Sequence, residues 1–208
     1  MAEINLTKGA NVNLAKEEPG VTKFLIGLGW NASGGSNPWD LDASVFPCRY
    51  DADRNPILID PKAFVYFNNL VSKDGAIVHS GDNTTGDGDG DDEQITVDIS
   101  KLNPEVDEII VAVTIYDGAK RGQNFGGVRN AYIRVADANN SEQASNPRKH
   151  IARYDLSDDA GPTTALQFGS FYKDNSGSWR FKALGHGANA TLGDFVAMLA
   201  PGATITGG

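Results

Sequence analysis

Hydrophobic residues along the chain recur with a period of two. In residues 24–30, FLIGLGW, one face carries Phe24, Ile26, Leu28 and Trp30, and the other carries Leu25, Gly27 and Gly29. That pattern predicts a strand packed on one side and closely approached on the other, where glycines leave room. Similar short runs, rich in β-branched and aromatic residues, occupy 43–46, 64–67, 95–99, 108–116, 131–136, 151–154, 165–172 and 179–183, each bounded by Gly, Pro, Asn or Asp. Many short strands with turn signals between them, and no alternating helices, predict an all-β antiparallel β-sandwich rather than a βαβ fold. Asp174, Asn175, Ser176 and Gly177 predict a hairpin turn by residue type. The clearest helix signal lies near the C-terminus, where Thr191 is a cap for a short helix with Phe195, Val196 and Leu199 at 3/4 spacing, stopped by Pro201 and Gly202. The polar segment 137–149, DANNSEQASNPRK, reads as a long exposed loop between two strands.

Composition bounds this picture. With 208 residues, 40% of them hydrophobic, the chain suffices for one sizeable core, and a single domain over 1–208 is expected. Lys and Arg total 18 against 27 Asp and Glu, a formal net charge of −9 that disfavours nucleic acid as a partner. The excess is uneven: Asp82, Asp87, Asp89, Asp91, Asp92 and Glu93 fall in one stretch without a Lys or Arg. Cys48 is the sole cysteine, so no intrachain disulfide forms, which suits a reducing compartment. No apolar run reaches the length of a membrane span or a signal peptide, and a cytoplasmic protein is expected.

The acidic stretch, GDNTTGDGDGDDE over residues 81–93, combines carboxylates, an amide and glycines. Two carboxylates about 4 Å apart repel by roughly 4 kcal/mol at an effective dielectric near 20, so an ordered loop of this kind needs a cation. Calcium suits it, because it takes about 6 to 8 oxygen ligands from carboxylates, amides and peptide carbonyls, and glycines let the backbone turn carbonyls inward. Magnesium remains open on the same donors. Zinc is disfavoured, since His79, His150 and His186 are dispersed and only one thiol exists. Asp40 and Asp42 flank Leu41 at i, i+2, on one side of an extended chain, and loops cluster at the ends of a sandwich, so this pair can join the acidic loop. Asp51 to Asn55 opens like an EF-hand loop, but Pro56 and Lys62 stand where a glycine and a glutamate are needed, so the segment reads as a plain turn.

The acidic loop, preceded by Asp40-Leu41-Asp42-Ala43-Ser44 and followed by Arg121-Gly122-Gln123-Asn124-Phe125-Gly126 and Arg129-Asn130-Ala131-Tyr132-Ile133-Arg134, resembles the TerD family of tellurium-resistance and stress proteins. The resemblance extends from Leu6, Lys8 and Gly9, through Gly27-Leu28-Gly29-Trp30, to Tyr154-Asp155-Leu156 and Trp179-Arg180-Phe181. It implies a β-sandwich that binds calcium, two ions, through adjacent loops, and a role in resistance to tellurite and other chemical, phage or colicin stress. Carried over by position, it places the metal site on Asp40, Asp42, Asp82, Asn83, Asp91, Asp92 and Glu93, with peptide oxygens near Gly86 and Gly88; Asp87 and Asp89 are expected to shape the field or donate backbone oxygens rather than act as side-chain ligands. Segment 137–149 looks longer than the family's usual connection and reads as an insertion.

The chain shows no G-x-S-x-G, no P-loop and no His-rich metal motif, so it reads as a non-enzymatic module acting by interaction, with other proteins of the same stress system as partners. The alternative is a small-anion or cyclic-nucleotide binding module built on Arg121, Arg129 and Arg134; metal-assisted phosphoester hydrolysis stands behind both.

Overall fold

The computed structural model of the chain describes residues 4–5, 9–13, 20–32, 36–156 and 161–201; the expectations placed on Leu6, Lys8 and Gly202 lie outside them. In chain order the strands are β1 (Ile4–Asn5), β2 (Asn11–Val12), β3 (Lys23–Gly29), β4 (Leu41–Tyr50), β5 (Pro56–Leu58), β6 (Ile77–His79), β7 (Glu93–Asp98), β8 (Glu108–Ile115), β9 (Tyr132–Asp137), β10 (Ala152–Asp155), β11 (Ala165–Lys173) and β12 (Trp179–Ala188). Short helices follow β8 (α1, Gly118–Arg121), β9 (α2, Ser141–Ser145) and β12 (α3, Leu192–Met198).

Two six-stranded sheets result, in the orders β1-β10-β9-β3-β7-β6 and β2-β12-β11-β8-β4-β5. β1 joins β10 in parallel, and the remaining pairs are antiparallel. Between them lies one core. Phe24, Ile26, Leu28, Ile95, Val97, Ile133 and Val135 of the first sheet meet Leu41, Ala43, Val45, Val111, Val113, Phe168 and Phe171 of the second. The all-β antiparallel sandwich expected from period-two alternation is therefore the fold, because each strand must bury one face.

A second cluster sits on the outer face of the second sheet, where Phe195 and Leu199 pack on Phe46, Cys48, Leu58, Ile110 and Ala112. α3 is set by the expected Thr191, whose hydroxyl accepts from the Asp194 amide while the Asp194 carboxylate accepts from the Thr191 amide. Coverage on both faces explains why residues 41–48 of β4 are buried without interruption. Cys48 lies in this second core, and burial pushes its thiol above its ordinary range.

The aromatic run 64–67 forms no strand. Residues 66–69 close a tight turn, with Tyr66 and Asn69 exchanging backbone hydrogen bonds of 3.2 and 2.9 Å, so the chain reverses before a ladder can extend. Its β-like composition instead supplies rings: Phe64 stacks on Phe46 at 5.6 Å and on Tyr66 at 4.7 Å. Segment 137–149 is also more than an exposed loop, since it contains α2, whose Asn140 cap accepts from the Glu142 and Gln143 amides. Among the described residues no helix is long and apolar enough to cross a membrane.

Candidate metal centre

β6 and β7 pair as a hairpin, with Ile77 opposite Val97 and His79 opposite Ile95, so the acidic loop is tied at both ends. Its shape depends on glycines: Gly86, Gly88 and Gly90 adopt φ of 68°, 148° and 108°. A Cβ on Gly86 would lie 2.4 Å from the Trp30 indole nitrogen. The Asn83 side-chain oxygen accepts from the Thr85 and Gly86 amides at 3.1 and 3.0 Å, which folds the loop's first half back on itself.

β4 begins beside this loop. Single carboxylate oxygens of Asp40, Asp42 and Asp82 lie within 4.8 Å of one another. The expectation that loops at one end of the sandwich bring the Asp40/Asp42 pair to the acidic loop is met at Asp82. Asp40 is 9% and Asp42 3% exposed, and the buried Oδ1 of Asp40 has no hydrogen-bond partner. The nearest cation is Arg121, whose Nη1 stands 3.8 Å from Asp40 Oδ2. Burial, then the neighbouring acids Glu93, Asp40 and Asp82, push the Asp42 carboxyl up to about 8. Asp40 rises to about 6 through burial and Asp82, with Arg121 pulling it back.

Glu93, fully buried, backs the cluster. Its Oε2 accepts from the Ala43 amide at 2.8 Å and its Oε1 from the Asn83 amide at 3.4 Å. His79 stands behind it: Nδ1 accepts from the Gly81 amide at 3.0 Å, which leaves the proton on Nε2, 3.6 Å from Glu93 Oε2. Asp92 accepts from the Trp30 amide at 2.8 Å and from the Asn83 side-chain nitrogen at 3.2 Å, and burial raises its carboxyl. Asp87, Gly88 and Asp89 are exposed on the loop's outer edge.

Asp91 is placed differently from its neighbours. Both its oxygens are gripped by the buried Arg134, at 2.6 to 3.1 Å, and Tyr132 donates to it at 2.9 Å. It occupies the space left by Gly27, where a Cβ would meet the carboxylate at 2.3 Å. The close approach predicted for the glycine face of β3 is thus made by Asp91 at Gly27 and by the Tyr132 ring at Gly29.

The arginine patch of the anion-binding alternative does not form. Arg134 is buried on Asp91, with Nη1 donating to the carbonyls of Gln143 and Lys149 at 2.7 and 2.9 Å. Arg121 donates to the Pro38 and Tyr116 carbonyls and to Asn37, which leaves Arg129 alone on the surface. Arg134 alternates with the core residues Ile133 and Val135 and so lies on the outer side of β9, and that side is covered by the chain around α2. The EF-hand-like stretch is a plain turn, with Asp51 Oδ1 accepting from the Asp53 and Asn55 amides at 2.9 and 2.8 Å.

A family model described as the TerD domain matches residues 1–198. The chain is 42% identical over 191 residues to a tellurium resistance protein TerD of Serratia marcescens, covering 88% of this chain and 90% of the relative. It is 40% identical over 191 residues to general stress protein 16U of Bacillus subtilis, covering 91% and 93%. Among solved structures, SAV2460, described as a protein of unknown function, superposes with a TM-score of 0.69 at 27% identity, covering 85% of this chain and 95% of that one. A Streptomyces coelicolor homologue of the telluride resistance protein TerD shares the fold with a TM-score of 0.66 at 24% identity, covering 85% and 96%.

Proposed function

The chain belongs to the TerD family, and on that premise we propose that it is a calcium-binding module of the tellurium-resistance and stress-response type, acting by interaction and not by catalysis. The observation that carries the reading is the convergence of Asp40, Asp42 and Asp82, with a buried Asp40 oxygen that nothing in the described protein satisfies. Calcium–oxygen distances are about 2.3–2.6 Å, so ligand oxygens on opposite sides of one ion stand roughly 5 Å apart, and a set of oxygens within 4.8 Å matches that span.

Asp40, Asp42 and Asp82 would hold the first ion, with Glu93 fixing the strand start on which Asp42 sits. A second ion would draw on Asp92 and on the peptide oxygens near Gly86 and Gly88. Asp91, spent on Arg134, braces the loop, and Asn83 shapes it. When bound, calcium supplies the positive charge that the cluster lacks and so removes the repulsion between its carboxylates. The cluster offers oxygen donors, and the nearest imidazole is buried behind Glu93, which favours a holding role over a hydrolytic one. Ordered loops would then present a surface to other proteins of the same stress system in the cytoplasm.

Melting in calcium and in EDTA tests the reading. Calcium at about 100 times its dissociation constant is expected to stabilise the fold by roughly 2.7 kcal/mol, an effect that EDTA abolishes. Coincident melting curves would refute it. Calorimetric titration with calcium and with magnesium identifies the ion, and a calcium-dependent pull-down reports the partners.

A further inference from the structure

We infer that the cleft between the acidic loop and the segment after α2 binds a phosphate-class oxyanion through Arg148 and Arg153. The cleft encloses about 690 Å³, within the size range of small-ligand sites. Gly88, Asp89 and Gly90 form one wall, Asn146 and Arg148 the other, with Trp30, Tyr132 and Arg153 between.

Three arginines of this acidic protein are set against carboxylates: Arg121 with Asp40, Arg134 with Asp91, Arg180 with Asp174. No carboxylate of the described residues lies within ion-pair distance of Arg148 or Arg153. The Arg153 guanidinium stacks over the Tyr132 ring at 3.9 Å. That ring is itself fixed, because its hydroxyl donates to Asp91, which Arg134 grips. A planar guanidinium held flat on an immobile ring keeps its edge N–H groups for a ligand, and the fork matches two oxygens of a phosphate. Two cations facing one cleft repel each other until an anion lies between them.

The volume exceeds what a bare phosphate fills. An organic phosphate is therefore a better fit than the bare ion. Asp89 on the opposite wall carries the same charge sign as the ligand. Calcium in the acidic loop offsets it, so oxyanion affinity is expected to rise with calcium; this dependence alone rests on the proposed metal site.

The test is calorimetric titration of the full chain with inorganic phosphate and with phenyl phosphate, in EDTA and in dilute calcium. Saturable binding is expected, tighter for phenyl phosphate, and weakened about tenfold or more by Arg148→Ala or Arg153→Ala, since each removes charge-assisted hydrogen bonds. Arg153→Lys is expected to lose most of the affinity, because an ammonium lacks the fork, while the exposed Arg49→Ala leaves it unchanged. Equal affinity for the two probes would identify the free ion as the ligand. Absence of saturation up to about 10 mM of either probe, or binding retained in the melting-competent Arg148→Ala/Arg153→Ala double variant, would overturn the assignment. Titration with calcium alone reports the metal site separately, so failure of one reading does not hide in the other.

Discussion

Arg134 and Asp91 meet with neither side chain exposed, Nη2 to Oδ2 at 2.6 Å and Nε to Oδ1 at 2.9 Å. Through its other nitrogen and backbone partners, Arg134 ties the acidic loop to the carbonyls of Gln143, Ala144 and Lys149. Removing one member of a buried pair strands the other charge, so Arg134→Met is expected to cost about 3–5 kcal/mol. For a domain of this size that corresponds to a fall of roughly 10 °C in Tm. Denaturant unfolding measures it; a loss below about 1 kcal/mol would mean that water solvates Asp91 in place of the arginine.

Asp42→Asn separates stability from binding. Above about pH 8, where Asp42 is ionised, it removes one charge from a repelling cluster, so the EDTA-treated variant is expected to melt above the parent, while the calcium-induced rise in Tm disappears. Asp91→Asn should do the reverse, lowering Tm with and without calcium. A calcium response retained in Asp42→Asn removes that residue from the ligand set, and Asp51→Ala is expected to leave calcium affinity unchanged.

The raised carboxyls at Asp42, about 8, and Asp40, about 6, set a pH dependence. Between the ordinary carboxylate range and these values the folded chain binds more protons than the unfolded one, so metal-free stability falls as pH rises from about 5 to 8. Carboxyls held below the ordinary range, such as Asp74 and Asp174, complete their titration under this window. Calcium held as proposed would displace the same protons, so its apparent affinity is expected to rise across the interval. Melting in EDTA and calcium titration over that range should give slopes of opposite sign; parallel slopes would remove these carboxyls as the cause.

Gly27→Ala places a methyl 2.3 Å from Asp91 Oδ2. A carboxylate locked by Arg134 cannot yield without breaking the pair, so a cost of about 1–3 kcal/mol is expected, with weaker metal binding because the loop must move. Far-UV circular dichroism through thermal unfolding reads the first effect and calorimetry the second.

Alternation made the main strands legible, and the glycine face of β3 announced that something would lie against it. That Asp40 and Asp42 can join the acidic loop followed from loops sharing one end of a sandwich; that Asp82 is the residue they meet came from the structure. What lies against Gly27 was beyond periodicity. Asp91 and Glu93, two apart, belong on one face of a continuous strand, yet β7 starts only at Glu93, and Gly90 at φ 108° turns the chain just before it. Asp91 therefore faces Gly27, while Glu93 pairs with Leu28 and points into the core. Arg134 was hidden for a similar reason. Its alternation with Ile133 and Val135 places it outside the sandwich core, and only the fold shows that the chain around α2 closes over that outside.

Glu93 lies in one sheet and the Ala43 amide it binds lies in the other. At the opposite end of the sandwich the sheets meet through rings, Phe24 against Phe171 at 5.5 Å, with Phe181 supporting Phe171 within its own sheet at 5.0 Å, and these contacts need no ion. With calcium bound as proposed, the molecule is a clasp with a permanent hinge and a chargeable catch. Emptying the catch is then expected to loosen the loop end while the ring end keeps the register, and hydrogen exchange that quickens in EDTA around Ala43 but not around Phe171 would be its signature.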